Sequence, residues 1–325
     1  MSSQFNWKAS FTLLNVRLAT DLISAEGMRV VPHPKPSESR KVQVTYRFST
    51  PDSVADIYKQ TKERIEQFLA CGDVNLALTG WDVRDVVEEF DVELDNWAEL
   101  SMQGKNPPTK MTFNMRNHAI WNAEFVEWAW NWYRKVAAHK DAEVIFRILQ
   151  LLRHSMTEDD EYDRFSKIWR AFNAFYNHLA GGRSAGEKFR IEKFARCLID
   201  ASSKWLPFVM QEYWTPKSNI ETHRDLLLAQ NGWGSVMGCL ANQGFTDDNG
   251  TNHSDNLRAA VFAKDLSGTL LSSLLCLYCE RNRVMHGEVI SDGERDLLYV
   301  CASFLQRIVA IGLNEFYFIP IKESP

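Results

Sequence analysis

The chain has 325 residues, about twice the length of a typical domain, so one large or two ordinary domains are expected. Its 45% apolar content is enough for a packed core and excludes a chain that is disordered by composition. The net charge of −5 argues against a protein that coats nucleic acid by bulk electrostatics, but it leaves room for a local basic site.

The sequence carries no sign of a secreted or membrane protein. Its six cysteines are irregularly spaced and do not make a disulfide framework. The first residues lack a charged stretch followed by an apolar one, and the longest apolar run, residues 270–279, is interrupted by two serines. These features predict a cytoplasmic protein that does not contact a membrane.

The first fifty residues have the pattern of strands. Apolar residues occupy every second position of residues 41–49, which predicts a strand, and residues 11–17 form a second, weaker one. The period then changes. Thr50 followed by Pro51 is an N-cap with a first-turn proline, and it predicts a helix that runs to about residue 70.

Residues 82–99 are strongly acidic, with eight carboxylates and one arginine. This run could be a contact surface for a basic partner. A solvated face is the favoured interpretation, because runs of charge usually indicate only exposure.

Two helices are expected near residues 117–138 and 141–155. Four aromatic residues recur at i, i+4, i+7 and i+11 of the first helix and make one stripe: Trp121, Phe125, Trp128 and Trp132. A base-stacking platform is one interpretation. A packed core face is favoured, because buried helices have this spacing.

An acidic break at residues 157–163 marks the predicted domain boundary, with one domain over residues 1–156 and another over 157–325. All that follows is predicted to be helical, with helices over residues 163–179, 184–203 (opened by a capping box of Ser184 with Glu187), 221–241, 257–286 and 292–314. The expected fold class is α+β overall, a small α/β N-terminal domain followed by an all-α bundle.

The segment richest in side chains that could take part in catalysis is YCERNRVMHG, residues 278–287. It lies at the end of an apolar helix that stops at Gly287. It places four polar groups within six residues: Arg281, Asn282, Arg283 and His286. Asn282 and His286 share a helix face, and Tyr278 lies one turn earlier on it. A histidine that can act as base or acid, beside a guanidinium with bidentate donors, suits attack on a phosphodiester. The same residues could equally cap the helix carbonyls.

Two segments together resemble a known family. RNRVMHG and the upstream IWRAFNAFYNHLAG, residues 168–181, look like the HEPN superfamily, and most like its Apea-like branch. In that branch an aromatic-rich helix of the form W-x-x-F-N-x-x-Y precedes a helix that ends in R-N-x-x-x-H-G. The resemblance covers roughly residues 160–315 and leaves the N-terminal half untouched.

The resemblance implies an all-α HEPN bundle that forms homodimers, and an endoribonuclease that needs neither metal nor another cofactor. By this resemblance Arg281 would neutralise the phosphate, His286 would be the general base or acid, and Asn282 would orient either. The 2′-OH of the substrate would attack, leaving a 2′,3′-cyclic phosphate and a 5′-OH, so the partner would be RNA.

Further substrate contacts are expected from Arg283, Tyr278 and Asn173. By analogy the setting would be antiviral defence against phage or toxin-like growth arrest, with an antitoxin or other regulatory partner. The N-terminal domain would be a sensor, a specificity module or a cover for the cleft. The alternative is a non-catalytic HEPN module that binds RNA, nucleotide or a partner protein.

The other motifs give little or no support for a functional site. Cys276 and Cys279 form a lone C-x-x-C, for which buried core thiols are favoured over a zinc site, since a zinc site needs two more ligands. The sequence has no Walker loop, GxGxxG, HExxH or GxSxG, so nucleotide hydrolysis, zinc proteolysis and serine esterase chemistry have no support.

Overall fold

The computed structural model of the protein describes these residues: 5–13, 22–23, 28–32, 42–50, 54–79, 87–96, 110–118, 123–181, 186–201, 205–214, 240–286 and 292–318. The chain divides into two compact units. The first comprises Met1–Leu76 and Asp82–Ala142, and the second comprises Ala77–Trp81 and Glu143–Pro325.

Among the described residues of the first unit, six strands form one sheet: β1 (Phe5–Leu13), β2 (Leu22–Ile23), β3 (Met28–Pro32), β4 (Val42–Thr50), β5 (Val87–Asn96) and β6 (Lys110–His118). Their order is β2-β3-β4-β1-β5-β6, and each of these pairings is antiparallel. The strand predicted at residues 41–49 is confirmed as β4, because alternating β-branched and aromatic residues suit a pleated strand.

The described part of the acidic run is strand β5. Its apolar residues alternate with the acids, and Val92 is fully buried. The backbone register sets Asp95 opposite both Lys8 of β1 and Lys110 of β6. The ends of the run, residues 82–86 and 97–99, lie outside the described residues.

The described helices of ten residues or more are α1 (Val54–Thr79), α2 (Ala123–Ala137), α3 (Ala142–Met156), α4 (Glu161–Leu179), α5 (Glu187–Asp200), α6 (Trp205–Trp214), α7 (His253–Phe262), α8 (Leu266–Met285) and α9 (Asp292–Leu313). A π-helical turn, Asn314–Phe318, follows α9.

The expected fold class, with a small α/β domain ahead of an all-α bundle, is wrong. Most of the described chain is helical, and the longest described helix, α1 with 26 residues, lies in the N-terminal half. The strands pair antiparallel, so the described part of that half lacks the parallel strand–helix–strand units of an α/β domain. Because α1 is shared between the two units, with its residues from Ala77 in the second, the described residues do not form a separate α/β domain ahead of the helices.

The boundary of the second unit falls before α3. The predicted boundary at residue 156 puts this helix in the first domain, whereas its residues from Glu143 lie in the second unit. The acidic segment that suggested the boundary instead opens α4, because the Asp160 carboxylate accepts the backbone N–H of Asp163 at 3.0 Å and caps the helix.

Helix α2 begins later than predicted, at Ala123, because residues 110–118 pair as strand β6. In the aromatic stripe the Trp128 and Trp132 rings lie 5.3 Å apart, and Trp132 is buried, which favours a packed face over a stacking platform. Trp121 lies outside the described residues, and so does the side chain of Phe125.

Helices α4 and α9 pack along each other in the core of the second unit. The predicted amphipathic stripe of α4 is confirmed, and its buried aromatic residues are Phe165, Trp169, Phe172, Phe175 and Tyr176. α9 matches the helix predicted at residues 292–314.

One helical stretch, Leu297–Phe318, is long and apolar enough to cross a membrane, although the sequence analysis found no such run. In this fold 94% of the most apolar 18-residue window of that stretch is buried inside the protein, and a core helix satisfies the same length and composition.

The single helix predicted at residues 257–286 is two helices, α7 and α8. Lys264 has φ 56°, in the left-handed region, and the Asp265 N–H reaches back to the Ala260 carbonyl at 2.9 Å. Together with the bond from the Lys264 N–H to the Val261 carbonyl, this forms a Schellman-type end for α7. The break could not be predicted from the sequence, because the residue in the left-handed position is a lysine rather than the glycine that usually marks a helix end.

Some sequence-level predictions lie outside the described residues: Ser184 of the capping box, most of the helix at 221–241, and Gly287. Glu187 is the first residue of α5, and the preceding Gly186 supplies no side-chain cap.

Candidate functional site

The last turn of α8 carries the residues predicted to act on RNA. His286 is exposed and sits at the C-cap position, where its backbone N–H donates to the Asn282 carbonyl at 3.0 Å and to the Arg283 carbonyl at 3.2 Å. Leu274, Leu277 and Val284 anchor the helix in the core. A largely buried helix therefore presents a solvent-accessible imidazole at its end.

A cleft of about 470 Å³ lies beside this turn. One wall comes from α8, and the other is the loop before α7. The α8 residues that line it are Tyr278, Cys279, Asn282, Arg283 and His286, and those of the loop are Gln243 to Asp248. Four of the predicted site residues, Tyr278, Asn282, Arg283 and His286, therefore meet at one cleft.

Arg281 does not line this cleft. Its Nη1 donates to the Asn282 Oδ1 at 2.8 Å and lies 3.9 Å from the Glu187 Oε2, and its guanidinium carbon is 6.0 Å from the centre of the Trp169 ring. Asn282 thus connects the guanidinium to the cleft. The Trp169 ring also lies 6.3 Å from that of Tyr278, so α4 supports both residues.

Glu187 of α5 is held on its other side by Tyr176. The Tyr176 hydroxyl donates to the Glu187 Oε1. Burial and this bond to a carboxylate raise the pKa of Tyr176 well above its usual range. Tyr176 is therefore a neutral donor that orients Glu187 towards Arg281.

Arg283 has a structural partner. Its Nη1 donates to the Glu280 Oε2 at 3.1 Å, and Glu280 is buried, with 2% of the residue exposed. A buried carboxylate requires a cation or several donors. Arg283 therefore neutralises Glu280 while its remaining surface lines the cleft.

Asn173 lies elsewhere. It lines a second groove, between α3 and α4, and its Oδ1 accepts a hydrogen bond from the Asn177 Nδ2. The structure therefore does not bring Asn173 to the cleft of His286, although the resemblance predicted a shared site.

Sequence analysis missed Asp247, whose side chain is 5% exposed at the wall of the cleft. Its Oδ2 lies 2.5 Å from the Lys188 Nζ and 3.0 Å from the His253 Nε2, and its Oδ1 accepts the backbone N–H of Asn249 and of Thr251. The Lys188 ammonium, followed by the backbone donors, holds the pKa of Asp247 well below its usual range. The same pair raises the pKa of Lys188.

The local signal for Asp247 was present in the sequence. The segment DDNGT supplies a turn in which an aspartate side chain accepts backbone N–H groups, and Gly250 takes φ 79° there. Lys188 lies 59 residues away along the chain, so no spacing rule identifies it.

Cys276 and Cys279 are buried, as favoured from the sequence. Burial raises the pKa of the Cys279 thiol to about 11, and that of Cys276 above its usual range as well. Across the described ranges, no group of three or more His, Cys, Asp or Glu residues could hold a metal ion.

The chain matches no protein-family model, no curated protein and no solved structure.

Proposed function

We propose that the protein is a metal-independent endoribonuclease of HEPN type. The observation that carries this proposal is the arrangement at the end of α8, where His286 and Asn282 line one cleft and Arg281 donates to Asn282. An imidazole, an amide and a guanidinium at one helix end supply proton transfer, orientation and charge neutralisation.

The roles follow from exposure and bonding. His286 is exposed, so it can exchange protons with a substrate and with water. Arg281 holds Glu187 only loosely, at 3.9 Å, so its other N–H groups remain able to donate to a phosphate. Asn282 accepts from Arg281 through Oδ1, which leaves its Nδ2 as a donor to substrate.

The proposed step is an internal transesterification. The substrate 2′-OH loses its proton to a base and its oxygen bonds to the adjacent phosphorus. The bond from phosphorus to the 5′-oxygen breaks, and that oxygen takes up a proton. The products are a 2′,3′-cyclic phosphate and a 5′-OH. His286 serves as base or acid, and DNA is not cleaved because it lacks the nucleophile.

The biological setting rests on the resemblance alone. It implies a homodimer acting on cellular RNA in phage defence or toxin-like growth arrest, controlled by an antitoxin or other regulatory partner. The dimer would bring the α8 ends of two protomers into one cleft.

A non-catalytic module that binds RNA, nucleotide or a partner protein is the second candidate, and one observation favours a partner protein as its ligand. The carboxylates of Asp247 and Asp248 line the same cleft as His286. Asp247 is neutralised by Lys188, but Asp248 is exposed and adds a negative charge that a phosphate must tolerate.

The first test is incubation of the purified full chain with mixed cellular RNA and EDTA. Wild type should cleave and leave cyclic-phosphate ends, whereas His286→Ala should cleave about 10²- to 10⁴-fold more slowly, because proton transfer is lost. His154→Ala, which removes an exposed histidine of α3 in the same unit, is the matched control and should cleave like wild type.

Arg281→Lys separates charge from geometry. Lysine keeps the charge but loses the planar fork that binds a phosphate through two donors, so cleavage should fall by about tenfold or more. Undiminished cleavage by folded His286→Ala would exclude His286 as the acid or base. RNA binding without cleavage by wild type would support the binding module instead.

A further inference from the structure

The second unit has another groove, which shares no lining residue with the cleft of His286. It holds about 610 Å³ and lies between one face of α3 and one face of α4. On α4 this face carries Arg170, Asn173 and Asn177, spaced i, i+3 and i+7, away from the buried aromatic stripe of the same helix. The groove is thus an outward surface of the helical unit.

Two arginines line this groove without a partner among the described residues. Arg147 and Arg170 are exposed, and neither makes a hydrogen bond or ion pair within the described part of the chain. Among the described residues that line the groove, none carries a carboxylate. The chain has more acidic than basic residues, yet these two guanidiniums, which have no partner in the described ranges, leave up to ten N–H donors for a ligand.

The asparagine pair adds a donor of known orientation. Arg190 can only donate, and its Nη1 bonds to the Asn177 Oδ1. The Asn177 Nδ2 must then donate to the Asn173 Oδ1, which leaves the Asn173 Nδ2 as a donor without a described partner. The polar groups available from both arginines and from Asn173 are therefore all donors, which suits an anion.

We propose that this groove binds the phosphate of a nucleotide unit. Its volume lies within the range of about 300–1,000 Å³ for small-molecule sites. Val144 and Leu151 supply an apolar surface on α3 for the base or ribose, while Arg147 and Arg170 bind the phosphate through charge-assisted hydrogen bonds. The proposal is independent of ribonuclease activity.

A nucleotide phosphate has two sources, a free mononucleotide and a phosphodiester of a bound strand. The mononucleotide and the strand both present phosphate oxygens to the arginines, and they differ in the rest of the ligand. The probes are AMP and a short single-stranded oligonucleotide with 2′-O-methyl groups, which cannot be cleaved by 2′-OH attack.

Calorimetric titration of the full chain measures binding of both probes. The double variant Arg147→Gln with Arg170→Gln should bind one or both probes at least about tenfold more weakly than wild type. Arg196→Gln is the matched control, because Arg196 is an exposed arginine of α5 that lies outside the groove and has no described partner. It should change affinity by less than about twofold.

Asn173→Asp is a second variant that preserves the local fold. Aspartate keeps the oxygen that accepts from Asn177 but replaces the free donor with a charged acceptor, so it should also weaken binding by about tenfold or more. Loss of AMP binding in both variants identifies a mononucleotide site, and loss for the oligonucleotide alone identifies a strand site. Equal affinity of the folded variants and wild type for both probes, or no binding of either probe to wild type, would overturn the proposal, whatever the outcome of the cleavage assay.

Discussion

Asp247 illustrates how one buried carboxylate can organise a loop. Its two oxygens form hydrogen bonds with a lysine, a histidine and two backbone N–H groups. These partners belong to α5, to the loop and to the start of α7. The Ser254 hydroxyl continues the arrangement, because it accepts the Phe245 N–H at 2.9 Å and donates to the Leu240 carbonyl at 2.8 Å. The cleft wall opposite His286 is therefore held by hydrogen bonds rather than by apolar packing alone.

Removing the Asp247 charge should destabilise the protein. Asp247→Asn keeps one oxygen for the backbone donors but loses the ion pair with Lys188, so the free energy of unfolding should fall by about 1–3 kcal/mol near neutral pH. Urea unfolding measures this difference. Asp248→Asn, the same change at the exposed neighbour, is the control and should cost less than about 0.5 kcal/mol.

The same variant has a defined pH dependence. Because the fold lowers the pKa of Asp247, the charged carboxylate stabilises the protein above its unfolded pKa, about 3.9, and this contribution is lost as the pH falls through the lower folded pKa. The difference between wild type and Asp247→Asn should therefore shrink below about pH 4. A difference that stays constant into that range would show that the charge of Asp247 is not what stabilises the loop.

At the scale of elements, close packing of α9 against α4 depends on a glycine. A Cβ built on Gly312 would lie 2.7 Å from the Phe175 Cε1. That ring cannot retreat easily, since the Phe194, Phe316 and Tyr317 rings all lie within 6 Å of it, centre to centre. The glycine is therefore a requirement of helix packing rather than of backbone conformation.

Gly312→Ala should lower the free energy of unfolding by about 1–3 kcal/mol, because the added methyl group overpacks the core. Gly268→Ala in α8 is the control. Its Cβ would meet the Asp265 carboxylate, which is exposed and can rotate away, and the Ala260 Cβ at 3.1 Å. Thermal unfolding of both variants checks the prediction, and equal midpoints would contradict it.

At the scale of the whole chain, the second unit includes a segment that is distant in sequence. Residues 77–81 at the end of α1 belong to it, and the Arg307 Nη2 donates to the Leu78 carbonyl at 3.1 Å, across 229 residues. Arg307 is buried, with 2% of the residue exposed. This bond ties the end of α1 into the core of the helical unit.

Arg307→Met should lower the free energy of unfolding by about 1–3 kcal/mol, because a buried carbonyl loses its donor and methionine cannot replace it. Arg295→Met on the same helix is the control. It breaks an exposed pair with Asp160, at 3.0 Å, and should cost less than about 1 kcal/mol. Denaturant unfolding measures the stability of both variants. An Arg307→Met variant as stable as Arg295→Met would refute a stabilising role for the bond between Arg307 and the Leu78 carbonyl.

Local pattern predicted some elements well. Strand β4 and helices α4 and α9 lie within a few residues of their predicted bounds, because their apolar period persists over two or more turns or a full strand. The α7–α8 break and the late start of α2 were missed. The first is set by a lysine in the left-handed region, and the second by strand pairing of residues 110–118.

The candidate site was predicted in part. Helical spacing alone puts Tyr278, Asn282 and His286 on one face, and they line one cleft. Spacing could not show that Arg281 turns towards Glu187 or that Asn173 faces a different groove, since both depend on how α4 and α5 pack.

By itself the sequence determined which segments are strongly periodic and which chemically able residues share a helix face, because both follow from the geometry of a single element. Only the tertiary structure decided the fold class, the partnership of Lys188 with Asp247 and that of Arg307 with Leu78. These depend on which distant segments meet and in which direction they pair, and the period of one segment carries no information about either.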